Sequence, residues 1–325
     1  MSIAAVNRRQ FCLATAAAVL MPAPTLVARR RQDAGLQIIE LRENVWAITG
    51  GGGNSLLMTS DAGPVLIDTK VADVAYALAD TVRTTLDGQT DDLTIINTHH
   101  HYDHVGGNFA FQSSPAHIDI IAHQNLAARV PATIDDRIKP ALARMAGRAE
   151  GDERTKIMDQ LDAMNPRNIA ATHAYEKAMT LDRGNATLQL HHAHNGHTDN
   201  DTIIYLEEHN VLHMGDLMFH ELHPFIDRPA GANTMLWQQF LAKAMDYCDA
   251  DTIVIPGHGD ITDRSAIPMM IEYFDVLRDT VRDAIAAGKT RDDISAMTPD
   301  VFASRGFERM MPGCLGSMYD ELNDK

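Results

Sequence analysis

The segment Thr98-His99-His100-His101-Tyr102-Asp103-His104-Val105-Gly106-Gly107-Asn108 concentrates side chains that bind metals. It carries the spacing His-x-His-x-Asp-His. Imidazole nitrogens and carboxylate oxygens are the donors that zinc prefers alongside thiolates. Placed on a turn after a strand, alternate side chains converge. His99 and His101 can then reach one ion, and Asp103 and His104 a second, where a helix begins. Gly106 and Gly107 allow the backbone to pack closely beneath the ions. A solvated histidine tract would need neither Asp103, nor the glycine pair, nor the apolar run before it. Three further blocks follow: Gly196-His197-Thr198, Gly215-Asp216 after the apolar run Val211 to Met214, and Pro256-Gly257-His258-Gly259 after Thr252 to Ile255.

These four blocks, in this order and spread over most of the chain, resemble the metallo-β-lactamase superfamily. The resemblance implies an α/β fold, an αββα sandwich with the site at one edge of its sheets. It assigns His99, His101 and His197 to a first Zn2+ and Asp103, His104 and His258 to a second, with Asp216 bridging. Asp68, in Ile-Asp-Thr at a strand end, is similar to the family's carboxylate that supports the ligands from behind. The mechanism so implied is that of a zinc-dependent hydrolase. A water shared by two ions loses a proton near neutral pH and attacks a carbonyl, and Asp103 orients it as the catalytic carboxylate. No Gly-x-Ser-x-Gly elbow offers a serine nucleophile instead.

The substrate is less sharply drawn. Asp216 stands where dedicated zinc β-lactamases carry Cys or Ser and where glyoxalase II-like thioesterases and lactonases carry Asp. With Gly-Asp-Leu-Met-Phe and Pro-Gly-His-Gly, the chain looks similar to the exported branch near quinoprotein- and sulfur-oxidation-associated hydrolases. The expected substrate is a small molecule with an ester, thioester, lactone or cyclic amide bond, β-lactams included. Two alternatives stand beside this: a mononuclear iron enzyme of the persulfide dioxygenase type, and a non-enzymatic exported metal-binding protein. Tyr102, His220 and His223 are the candidate substrate contacts. His100 is expected to point away from the ions, and His117, His123, His173, His209 and His213 to be structural.

The positioning elements read as follows. Leu36 to Leu41, Val45 to Thr49, Ser55 to Thr59 and Pro64 to Asp68 are short β-rich runs broken by turn residues. Gly50 to Gly53 suggests a hairpin or a flap over the site. Val71 to Leu86 has helical periodicity, and Leu93 to Asn97 is a buried-type strand leading into the histidines. Residues 124–179, rich in Ala, Met and charge, read as a largely helical insertion shaping the pocket mouth. Strands resume at Ala186 to His191, Thr202 to Glu207, Val211 to Met214 and Thr252 to Ile255. Asn233 to Tyr247 and Ile267 to Ala287 are helical. Residues 34–325 are thus expected to form one domain.

The first residues differ. Arg8-Arg9-Gln10-Phe11 followed by the apolar run Leu13 to Leu20 resembles a twin-arginine signal, expected over residues 1–28, and implies export to the periplasm. The apolar run is too short to span a bilayer, so no stable membrane insertion is expected. The net charge of −16 repels phosphate backbones, which argues against a nucleic-acid partner. Cys248 and Cys314 have no metal-ligand spacing and read as unpaired. Oligomeric state has no signal in the sequence.

Overall fold

The computed structural model describes residues 31–33, 35–112 and 118–323; the signal segment, Cys12 and His117 lie outside them. Two sheets carry the fold. The first runs in chain order through β1 (Arg31–Asp33), β2 (Leu36–Arg42), β3 (Val45–Thr49), β4 (Ser55–Met58), β5 (Val65–Ile67), β6 (Thr94–Ile96), β7 (Asp119–His123) and β8 (His173–Tyr175). β1 to β5 pair antiparallel and β5 to β8 pair parallel. The second sheet comprises β9 (Ala178–Asp182), β10 (Thr187–His192), β11 (Thr202–Leu206), β12 (Val211–Phe219), β13 (Ile253–His258) and β14 (Thr262–Asp263). Its one parallel pair is β12 with β13.

The period of two along these strands sorts their side chains between layers. Leu56, Ile67, Ile96 and Ile121 face inward and meet Leu188, Leu190, Ile204 and Ile255 of the second sheet. Their neighbours Leu57, Leu66, Ile95 and Ile120 face outward and pack on Leu78 and Val82 of α1 (Ala75–Thr85). On the far side, Leu212, Met214 and Val254 receive Trp237 and Leu241 of α7 (Thr234–Ala244) and Phe274 and Leu277 of α8 (Ala266–Ala286). Strands such as β5, β6 and the first half of β13 are therefore apolar on both faces, as a sheet covered on both sides requires. The result is an αββα sandwich.

Between α1 and α7 lie α2 (Tyr102–Val105), α3 (Asn108–Gln112), α4 (Leu126–Thr133), α5 (Lys139–Arg148) and α6 (Gly151–Ala163). α7 spans Thr234–Ala244 and α8 Ala266–Ala286, followed by α9 (Arg291–Ser295) and α10 (Met311–Asn323). A five-residue π-helical turn, Ile134–Ile138, joins α4 to α5. The insertion buries Val130, Ile134, Ile138, Leu142 and Ile157 against Phe109 and Ala122, so it has its own core. It is less uniformly helical than expected: β8 and β9 fall within or across residues 173–182. Those strands are short and β9 alternates exposed with half-buried side chains, the mark of an edge strand whose composition resembles a surface helix. No helix among the described residues is long and apolar enough to cross a membrane.

Candidate metal centre

The site collects at the carboxyl ends of β5, β6 and β13 and along β12. Asp68 follows β5, the histidine segment follows β6, and His258 ends β13. Asp216 lies within β12, at a register shift beside Gly215 with φ +52. Gly257 lies against that carboxylate so closely that a Cβ there would stand 1.9 Å from Asp216 Oδ1. The Gly50–Gly53 segment is no free flap. Gly53 N–H donates to Asp103 O at 3.1 Å, Val71 N–H donates to Gly51 O at 3.2 Å, and a Cβ on Gly53 would meet the His104 ring at 2.2 Å. Lys70, fully buried, donates to Ile48 O and Gly53 O at 2.8 Å each and so ties this loop from beneath; burial lowers its pKa to about 7.

All seven residues read from the sequence as metal ligands come together. Donor atoms of His99, His101, His197 and Asp216 lie within 4.8 Å of one another, and so do those of Asp103, His104 and His258. Asp216 stands between the groups. Its Oδ2 is 3.8 Å from His99 Nε2, 3.5 Å from His197 Nε2 and 3.4 Å from His258 Nε2, while its Oδ1 is 3.0 Å from His104 Nε2. His258 Nε2 also approaches Asp103 Oδ2 at 3.1 Å.

The outward nitrogens of four of these rings are occupied, which sets their tautomers through the hydrogen-bond network. His197 Nδ1–H donates to Phe225 O at 2.7 Å. His104 Nδ1–H donates to Asp68 Oδ2 at 2.7 Å. His99 Nδ1–H donates to Thr98 Oγ1 at 3.0 Å, and that hydroxyl donates to the same Asp68 Oδ2 at 2.7 Å. One buried carboxylate oxygen therefore orients two rings, while Asp68 Oδ1 accepts from Thr98 N–H at 2.8 Å. His101 Nε2–H donates to Asp227 Oδ2 at 2.8 Å, leaving Nδ1 to face His197 Nε2 at 2.9 Å.

These atoms fit a bound cation. His101 Nδ1 and His197 Nε2 present lone pairs to each other at contact distance, an arrangement that needs a positive charge between or beside them. His99 Nε2, His104 Nε2 and Asp216 Oδ1 are buried and make no hydrogen bond of proper geometry, although the last two are 3.0 Å apart. Buried polar atoms left so are rare unless an ion is their partner. The electrostatics agree. Burial, followed by neighbouring histidines, lowers His99 well below the ordinary imidazole range, and burial lowers His197 to about 3. Both rings are therefore neutral. Burial also disfavours charge on His104 and His258, but Asp216 and the other carboxylates overcome it, raising His104 well above its usual value and His258 to about 9. Without a metal, protons fill the place of positive charge. Burial opposes ionisation of Asp103 and Asp216 as well, yet the histidines beside them hold both below the carboxylate range.

The centre forms the floor of a cavity of about 660 Å3. It is lined by Arg129, Thr133, Asp136 and Arg137 of α4 and the π turn and by Phe307, Arg309 and Met310. Phe219 and Phe225 complete the apolar lining. Trp237, fully buried in α7, stacks edge-on behind His197, with centroids 5.4 Å apart at 64°. Among the candidate substrate contacts, Tyr102 lines this cavity, but its hydroxyl donates to Asp73 Oδ2 at 2.8 Å. His220 and His223 do not line it. β12 continues to Phe219 before the chain turns, so His220 Nδ1 meets Asp260 O at 2.9 Å and His223 is buried against Tyr273 at 3.0 Å. His100 Nδ1 accepts from Asn200 Nδ2 at 2.9 Å, yet the ring does not point wholly away as expected: His100, His101 and Asp227 bring donor atoms within 4.8 Å of one another, and His100 lines the cavity. Cys248 and Cys314 are unpaired.

Asp227 is the site residue that sequence reasoning misses. It lies 126 residues from His101, and its local context, Asp-Arg-Pro, signals only a capped turn: its side chain accepts from Ala230 N–H. Phe225 and Phe307 carry no pattern either.

A model of the metallo-beta-lactamase superfamily matches residues 48–258. A type 2 metallo-beta-lactamase from Bacillus cereus is 21% identical over 260 residues, 77% of this chain and 85% of the relative. Among solved structures, a metallo-beta-lactamase from Pontibacter korlensis shares the fold with a TM-score of 0.56 at 18% identity, covering 74% of this chain and 99% of that one. A stereoselective inverting sec-alkylsulfatase from Pseudomonas sp. gives a TM-score of 0.61 at 17% identity, covering 88% of this chain and 50% of that one.

Proposed function

Since the chain belongs to the metallo-beta-lactamase superfamily, we propose that it is a two-zinc hydrolase acting on an ester, thioester, lactone or cyclic amide. The observation that carries this reading is the pair of donor sets sharing Asp216, with three buried donor atoms that make no proper hydrogen bond. His99, His101 and His197 would hold one ion and Asp103, His104 and His258 the other, with Asp216 common to both. Zinc bound there would supply a water of lowered pKa and a Lewis acid for the scissile carbonyl.

The chain's own residues do the rest. Asp103 is the only carboxylate of the set that is part-exposed, with 32% of its side chain accessible. It faces the cavity and, held ionised by its neighbours, can accept a proton at Oδ2 and orient the attacking water. Asp68, Asp227 and the carbonyl of Phe225 keep the four rings in tautomers that offer lone pairs inward. Phe219, Phe225 and Phe307 exclude bulk water and seat the apolar part of the substrate. The Arg8-Arg9 leader supports export of the folded protein as part of the same proposal.

The test is elemental mass spectrometry on the purified full chain without added metal. About two zinc per chain supports the two-zinc reading. One iron with little zinc would replace it by the dioxygenase chemistry. Two zinc without turnover on lactones, thioesters, esters and β-lactams would leave a metal-binding protein without hydrolase activity.

A further inference from the structure

The cavity has a charge pattern that the metal centre does not explain. The chain carries a net charge of −16, yet three arginines face this one cavity. Arg129 is neutralised by Asp199 at 2.7 Å. Arg137 and Arg309, by contrast, have no ion-pair partner among the described residues although both line the cavity. Two guanidinium groups free of ion pairs therefore line the one cavity that has the donor cluster at its floor.

Both are carried by unusual backbone. Arg137 lies on the π turn Ile134–Ile138, the only such turn among the described residues; π turns are strained insertions that concentrate at functional sites. Arg309 follows Phe307, a non-glycine residue with φ +60. Backbone of that kind is costly for a bulky side chain. It lays the Phe307 ring beside His258, with centroids 5.6 Å apart, and the Arg309 guanidinium stands 5.8 Å from that ring. An aromatic surface next to the metal centre thus ends in a cation.

We propose that the substrate carries an oxyanion distant from its scissile bond, held between Arg137 and Arg309, with an apolar body lying on Phe307 and Phe225. Guanidinium groups suit this role because they remain charged and pair with oxyanions in two-pronged fashion. The proposal deepens the hydrolase reading and rests on it only for the bond that is cleaved.

The test compares two p-nitrophenyl esters of equal chain length, one neutral and one ending in a free carboxylate, on the zinc-loaded full chain. Binding of 4-phenylbutyrate is measured in parallel by calorimetry. The charged ester is expected to have the lower KM, an advantage that shrinks with added salt. Arg137→Gln and Arg309→Gln should each erode the charged-to-neutral preference about tenfold, acting on KM rather than kcat. The Arg→Lys variants should retain part of it. The double Gln variant should lose 4-phenylbutyrate binding by a larger factor than either single one. Equal loss on both esters, or phenylbutyrate affinity unchanged in the double variant, would overturn the proposal. Failure to hydrolyse either ester would strike the hydrolase reading alone, since the calorimetry still decides whether the arginines hold the anion.

Discussion

Replacing Asp68 by Asn should separate the two metal sites. In the native arrangement Asp68 Oδ2 accepts from His104 Nδ1–H at 2.7 Å and from Thr98 Oγ1–H at 2.7 Å, and Oδ1 accepts from Thr98 N–H at 2.8 Å. Asparagine keeps the Oδ1 bond but presents an NH2 group where Oδ2 stood. Thr98 Oγ1 adapts, because a hydroxyl can accept from the amide while still accepting from His99 Nδ1–H. His104 has no such freedom. Its Nδ1 must give up its proton to accept from the amide, and the proton then moves to Nε2, the atom facing Asp216. A bond from a ring N–H to a charged carboxylate contributes about 1.5–3 kcal/mol, which converts to roughly 10–100-fold in affinity. The second ion should weaken by that factor and the first much less. The assay is competitive chelator titration with metal counted by elemental mass spectrometry, with thermal unfolding as the control for folding. Two ions bound with native affinity in Asp68→Asn would refute the tautomer argument, and loss of both together would show that Thr98 transmits the change to His99.

Asp227→Ala removes the carboxylate behind His101, and the same chelator titration should show the first ion weakened about tenfold with the second retained. Asp103→Asn should lower kcat by ~10²–10⁴, measured as steady-state hydrolysis at full metal loading. For the metal-free protein, His258 is raised from 6.5 to about 9, so its contribution to stability is complete below pH 6.5 and is lost as pH rises through about 9. Melting temperature without metal should fall across that window, while zinc affinity, which must displace the same proton, should rise; a flat melting profile would contradict the assignment.

The layered fold was readable because its central strands are short, largely apolar and end in turn residues, and the sandwich with its helices follows from that pattern. The donor set was readable for a different reason: each candidate ligand stands in its own short signature, such as Gly-His-Thr in the loop after β10, Gly-Asp within β12 or Pro-Gly-His at the end of β13. What escaped was set by tertiary contact alone. Asp227 meets His101 only because the loop after β12 folds back over the site. His220 and His223 are close to Asp216 in sequence, yet the extended β12 carries them past the cavity before the chain turns. β8 and β9 escaped because strands of three to five residues with polar outer faces give too few periods to distinguish from helix.

The chain has two tryptophans, Trp46 and Trp237. Trp46 sits on β3 and packs with the α1 layer, whereas Trp237 stands against His197 at the first donor set. The buried indole is therefore a built-in optical probe that lies against the first donor set. Substituting Co2+ for zinc should dim its emission as that site fills, and a Trp46→Phe variant would leave a single unlabelled fluorophore from which filling of the first site can be followed in time.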